Sequence, residues 1–411
     1  MEKQIASTAV RRRGGKETMR KKLVYLDYAA STPVDQKVQR AMTPFLRSEF
    51  GNPSSVHQLG QRSRVAVETA RERIATFLGC SANEVVFTSG ATEANNLAIQ
   101  GIVARESPLQ RPHVVTSAIE HESVLAPIQA LEKEGTIEAT YVKVGKEGIV
   151  NPQDVEKAIQ KNTILVSIQY ANSEVGTIQP IPHIAKIIKK YKIQDTKYQI
   201  LFHTDAVQAA LYLDCSVEKL GVDMLTLSSH KIYGPKGVGV LYIRKGISIH
   251  PLFFGGGQEQ DIRSGTENVG GIVGMGEAIR EIQNPKSRVQ NIRIRQLRDR
   301  LMKIIPQRIS GAKLTGSLLQ RLPNNVHVLI KGVEGKDVVL LLDQKGIAVS
   351  TGSACSERSQ EPSHALLSMG YEQAEARSAL RITLGKHTRK EEIEKTVKIL
   401  EKAVEQLRAK K

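Results

Sequence analysis

Residues 84–106 read EVVFTSGATEANNLAIQGIVARE, and their reading decides the fold. EVVFTS (84–89) is a short β-rich run. The stretch from Ala91 onward has the length and apolar spacing of a helix, and Ser89-Gly90 forms the turn between them. A strand that runs straight into a helix is the repeating unit of a parallel sheet covered by helices. Further β-rich runs follow at HVVTSAI (113–119), TILVSIQYA (163–171), QILFHTD (199–205), DMLTLSS (223–229) and GVGVLYIRK (237–245). Helical stretches such as VLAPIQALEKEG, NPQDVEKAIQ and IPHIAKIIKKYK lie between them. The expected fold class is α/β. After about residue 285 the texture changes to a long basic helix, the runs NNVHVLIKG and VVLLLDQKGIAVS, a polar loop and a terminal helix, which predicts a second, smaller α+β domain.

The 411 residues are 40% hydrophobic, enough for a large core and too many for one compact nucleus. No run approaches the roughly 20 apolar residues of a membrane helix. The formal charge of +17 raises the question of nucleic acid. Part of it is local, in Arg11, Arg12, Arg13, Lys16, Arg20, Lys21 and Lys22, and in the helically spaced Arg288, Arg293, Arg295, Arg298, Arg300 and Lys303. With no Trp and 4% aromatics there is little to stack on bases, so direct nucleic-acid binding is not expected. Residues 1–22 form a basic extension without the apolar stretch of a secretory signal, and Met19 is a plausible shorter start. The three cysteines, Cys80, Cys215 and Cys355, are far apart and form no CxxC pair, so neither a disulfide framework nor a metal site is expected. A reducing, cytoplasmic setting fits this usage.

The residues that carry chemistry cluster at strand ends. The turn at Gly90, Ala91 and Thr92 offers free helix-start N–H groups suited to phosphate, although an ordinary capped turn would look the same. Lys231, in SSHKIYGPKG (228–237), follows a buried-looking strand. Desolvation there would favour the neutral amine that forms a Schiff base with an aldehyde, with Ser228 and His230 placed to donate to a phosphate. A plain surface lysine is the alternative. Asp205, in FHTDAVQA, reads either as a helix cap or as the carboxylate that keeps a pyridine nitrogen protonated, as a pyridoxal cofactor requires. His121, in SAIEHES, is a structural histidine or a ring stacked on a flat cofactor. Arg381, on the apolar run SALRITLG, needs a partner for its fixed charge and can grip a carboxylate bidentately. Cys355, in STGSACSERSQEPS (350–363), is the one cysteine in a segment that reads as a long exposed loop. Attack by sulfur needs its thiolate.

Together with YLDYAASTP (25–33), FGNPSSVH (50–57), FTSGATEANNLAI (87–99), ANSEVGTIQP (171–180) and GGGQEQDIRSGTEN (255–268), these residues closely resemble the cysteine desulfurases among the class V aminotransferase-like enzymes that depend on pyridoxal 5'-phosphate. The long GSACS loop resembles their first, NifS- and IscS-like group. The resemblance implies a fold type I transferase: a large domain (34–285) with a mainly parallel seven-stranded sheet between helices, and a small domain from 23–33 and 286–411 that carries a mobile cysteine loop. It implies Lys231 as the Schiff-base lysine, His121 as the stacking ring, Asp205 and Gln208 as partners of the ring nitrogen and hydroxyl, and Gly90, Ala91, Thr92, Ser228 and His230 around the phosphate. Thr266 would reach that phosphate from the other subunit of a homodimer, and Asn172 and Arg381 would place the carboxylate of L-cysteine. Sulfur would pass to Cys355 as a persulfide and then to an acceptor protein, for iron–sulfur cluster assembly or tRNA thiolation. The alternatives on the same scaffold are a selenocysteine lyase or an aminotransferase, and in a different class a non-catalytic nucleic-acid-binding or interaction protein.

Overall fold

The computed structural model describes residues 23–106, 111–193, 199–352 and 361–410. Cys355 and the basic extension 1–22 lie outside the described residues.

Seven strands form the central sheet, in the spatial order Val85–Thr88, Gly239–Ile243, Met224–Ser228, Leu201–Asp205, Thr163–Ser167, His113–Ser117 and Glu138–Val142. All run parallel except Gly239–Ile243, which is antiparallel to both of its neighbours. Six of the seven are buried along their whole length. They read as continuous Val/Ile/Leu-rich runs because helices cover both faces. The helix Ala91–Arg105, for example, buries Leu97, Ile99, Ile102 and Val103.

The exception is the edge strand Glu138–Val142, which the reading of the sequence passed over. Its first four residues are only partly buried, so EATYV lacks the apolar run that marks the others. Several expected strands also end early. HVVTSAI is extended only to Ser117 and TILVSIQYA only to Ser167, and the residues beyond turn away as loops at the sheet edge.

In the second region the antiparallel strands Ala379–Thr383, Asn325–Ile330 and Ala312–Leu314 form a sheet of three. The helices Pro285–Arg308 and Lys390–Arg408 pack in an apolar cluster with it, through Leu301, Ile305, Val328, Ile382, Val397 and Leu400. Val24 and Leu26 from the start of the chain belong to the same cluster. Val24–Tyr25 pairs in parallel with Ile347–Ala348, and Asp27 bridges to Thr383.

Among the described residues no helix is long and apolar enough to cross a membrane. None of their His, Cys, Asp and Glu side chains form a group of three placed to hold a metal ion.

Candidate active site

Both Thr88 and Ser228 pair with Gly239, so the strands that precede Gly90 and Lys231 end side by side. The parallel strands ending at Asp205, Ser167 and Ser117 stop at the same edge, the usual ligand side of an open α/β sheet. A cavity of about 520 Å³ opens there. It is lined by Gly90, Ala91, Thr92, His121, Asp205, Gln208, Ser228, His230, Lys231 and Arg381, which the structure therefore brings together.

At one end of the cavity the helix Ala91–Arg105 begins. Its N-cap Gly90 provides no side-chain cap, and Gly90, Ala91 and Thr92 of this first turn line the cavity. The approach is close: a Cβ on Gly239 would lie 2.5 Å from the carbonyl carbon of Gly90. Glu93 on the same turn would repel an anion. Burial alone would raise its pKa, but the Arg263 pair at 2.9 Å and the Ser89 amide outweigh this and hold it below the usual range. Its charge is thereby already countered by a cation. His230 stands across the opening, its Nδ1 3.3 Å from the Ser31 hydroxyl. Burial, aided by Lys231 and Lys236, pushes its pKa down to about 4, so it is neutral at pH 7.

The Lys231 Nζ donates to the carbonyl oxygens of Ala29 and Ala30 at 2.7 and 2.9 Å. The Gln208 amide donates to Ala29 as well, at 3.0 Å. These carbonyls were not foreseen as site groups, since a backbone oxygen has no side-chain signature. Only the YLDYAAST stretch itself marked the place.

Asp205 is buried. One of its oxygens accepts from Asn95 at 2.8 Å and the other from the Val207 amide at 2.9 Å. His121 caps the helix Glu122–Lys133, with Nδ1 accepting the Ser123 amide at 3.1 Å. Burial lowers its pKa, with Asp205 opposing and Lys231 assisting. Gln169, a further lining residue that the sequence did not single out, donates its own backbone amide to both carboxyl oxygens of Glu120 at 2.9 Å.

Arg381 is 2% exposed. Its partners are Asp27 at 2.9 Å and the Ser173 carbonyl at 3.0 Å, while its buried Nε has no hydrogen-bond partner among the described residues. A buried guanidinium with donor capacity left over is suited to a carboxylate.

Two of the expected residues lie differently. Asn172 is buried but does not line the cavity: its amide donates to the Ile119 carbonyl, and its Oδ1 accepts the backbone amides of Glu174 and Val175. Thr266 is exposed and does not line this chain's own cavity.

Of the two described thiols, burial pushes Cys80 up to about 12, with Glu84 adding to it, and raises the fully buried Cys215 further. Neither is a thiolate at neutral pH, so neither is a ready nucleophile.

The class-V aminotransferase family model matches residues 24–396. Cysteine desulfurase IscS of Dictyoglomus turgidum is 48% identical, over 94% of this chain and 96% of its own length. Among solved structures, a NifS-like protein superposes with a TM-score of 0.85 at 38% identity, covering 92% of this chain and 98% of its own. Another, SspA in complex with cysteine, superposes with a TM-score of 0.77 at 37% identity, covering 89% and 100%. With its chemistry gathered at one edge of a mostly parallel sheet and relatives that match along nearly its whole length, the chain belongs to the class-V aminotransferase family, among its cysteine desulfurases.

Proposed function

We propose that this desulfurase takes sulfur from L-cysteine with Lys231 and Cys355 as its two reactive groups, and that the cavity holds pyridoxal 5'-phosphate. The observation that carries the reading is the convergence of Lys231, His121, Asp205, Arg381 and an uncapped helix start on one cavity. The donor set fits that cofactor. Helix amides, Thr92, Ser228 and His230 suit its phosphate, Asp205 its ring nitrogen, Gln208 its hydroxyl, and the His121 ring its face. When bound, the cofactor supplies an aldehyde for the substrate amine and a ring that draws electrons from the substrate carbons.

The protein's own groups do the rest. Arg381 fixes the substrate carboxylate, and Asn172 secures the turn beside it. The Lys231 amine takes the proton from the substrate α-carbon and, in its protonated form, returns one there before alanine leaves. The Cys355 thiolate attacks the substrate sulfur: the new S–S bond forms as the C–S bond breaks, and the electron pair left on carbon is protonated to give alanine. A persulfide remains on Cys355 for transfer to an acceptor protein, such as an iron–sulfur scaffold or a tRNA-thiolation partner, in a cytoplasmic setting.

A second copy completes the site in this reading. Thr266 is exposed, and around its segment lie exposed apolar side chains, Leu46 beside Gly270 and Phe253 bridged to Arg263, with Phe50, Val56 and Phe254 also uncovered. A homodimer that buries them would bring Thr266 to the partner's phosphate.

The test is a visible absorbance spectrum of the purified chain, followed by addition of cysteine with alanine and sulfide assayed. Wild-type protein should show cofactor absorbance and form both products. Cys355→Ala should keep the absorbance and lose persulfide and sulfide, and full turnover in that variant would remove Cys355 from the mechanism. Alanine formation by Lys231→Ala at the wild-type rate would likewise remove Lys231.

A further inference from the structure

The turn at residues 171–177 reaches several parts of the site at once. The Ser173 carbonyl accepts from Arg381 at 3.0 Å. Glu174, next to it, is 2% exposed, and its Oε2 accepts the Ser363 hydroxyl at 2.6 Å. Ser363 in turn caps the helix His364–Ser368 by accepting the Leu366 amide at 3.1 Å. On the other side, Gly352 packs so tightly that a Cβ added to it would lie 2.7 Å from the same Oε2. Two residues earlier, Ser350 and Arg381 exchange backbone hydrogen bonds at 3.2 and 2.7 Å. The described chain on both sides of residues 353–360 thus meets at one carboxylate, one residue away from the carbonyl that holds Arg381.

Glu174 is itself fixed. Its amide donates to Asn172 Oδ1 at 2.9 Å, and its carbonyl accepts from the Asn325 side chain at 2.8 Å. A second tie runs from His364, whose Nε2 donates to the Glu120 carbonyl at 2.9 Å, next to His121. Gly352 and Ser363 are thereby the fixed points on either side of the segment that contains Cys355.

We propose that Glu174 is a positioning residue for sulfur transfer, holding both flanks of the Cys355 stretch in register with Arg381. This rests on the reading of Cys355 as the sulfur acceptor. Cysteine binding depends on Arg381 and the cofactor groups, so it should survive the loss of Glu174, whereas delivery of the thiol should not.

The experiment compares Glu174→Ala, Glu174→Gln and Ser363→Ala with wild type, using the holoenzyme. The concentration dependence of the cysteine-induced absorbance change reports binding. Mass spectrometry of Cys355 after a single turnover reports persulfide. In both alanine variants binding should stay within about twofold of wild type while the persulfide rate falls on the order of 10- to 100-fold, with Glu174→Gln recovering most of it. If Glu174→Ala does not fold, Ser363→Ala decides. Wild-type persulfide rates in the alanine variants would overturn the inference alone, as would a loss of binding in step with the rate. Absence of persulfide in the wild-type chain would sink the acceptor reading, and this inference with it.

Discussion

Arg71 and Glu259 form a bidentate ion pair with both side chains buried, Nη1 to Oε2 at 2.8 Å and Nη2 to Oε1 at 2.7 Å. Each also grips the strand that leads into the Gly90 turn: Glu259 accepts the Phe87 amide at 2.7 Å, and Arg71 donates to the Val85 carbonyl at 2.7 Å. The Glu259 backbone and the two residues after it adopt positive φ, from 48° to 62°, so this stretch is held against its own preference. Removing Glu259 leaves the buried Arg71 with only the half-exposed Glu68, 3.2 Å from its Nε, as a carboxylate partner. Glu259→Leu should therefore destabilise the fold by about 3–5 kcal/mol, read from urea unfolding. A loss under about 1 kcal/mol would show that the pair is not a clamp.

Gly239 makes a separate forecast. A methyl group there collides with the backbone of Gly90, which cannot yield without moving the start of the helix. Gly239→Ala should cost about 1–3 kcal/mol of stability. It should also weaken pyridoxal phosphate binding far more than Gly135→Ala, since a Cβ at Gly135 meets nothing and only its positive φ of 75° is strained. Equal cofactor affinity in the two variants would contradict the close-approach argument.

Acid should destabilise the protein through its buried histidines. His203 lies 2.9 Å from Ser167 and 3.0 Å from Thr226, and burial pushes its pKa down to about 4, with Asp205 opposing. Its unfolded counterpart titrates near 6.5, so the unfolded chain takes up the proton first as pH falls. Stability from this group is full above about pH 6.5 and drains toward pH 4, by about 1.4 kcal/mol per unit. Thermal melts at pH 7 and pH 5 should show a smaller drop for His203→Gln than for wild type. An identical drop would assign the acid sensitivity to other groups.

Arg381→Lys keeps the charge but loses the planar fork. Its expected signature is a rise in KM for cysteine of about 10- to 100-fold, accompanied by weaker competition from alanine. An unchanged KM would move the carboxylate site elsewhere.

Much of this site could be read from the chain. Lys231, Asp205 and Gly90 stand at or just beyond the ends of short, fully buried apolar strands, and burial on both sheet faces makes such strands visible without any partner. What escaped notice has a common cause, contact across great sequence distance. The Ala29 and Ala30 carbonyls acquire meaning only because Lys231 arrives some 200 residues later. Glu174 looks like one more polar residue in a turn until Ser363 and Gly352 fold onto it. The edge strand Glu138–Val142 was hidden for the opposite reason: it is paired on one side only and kept partly polar.

The first strand has a consequence for how the molecule is made. Val24–Tyr25 rests on Ile347–Ala348, and the Ala29 amide is secured by the Thr383 hydroxyl, 354 residues away. During synthesis this strand has no partner until Ile347–Ala348 has emerged, long after Gln208 and His230 are available to tie the residues that follow it. The backbone oxygens that hold Lys231 are thus fastened in two stages, by residues of the large sheet first and by the small sheet afterwards, so the second region must dock before the reactive amine has its final seat.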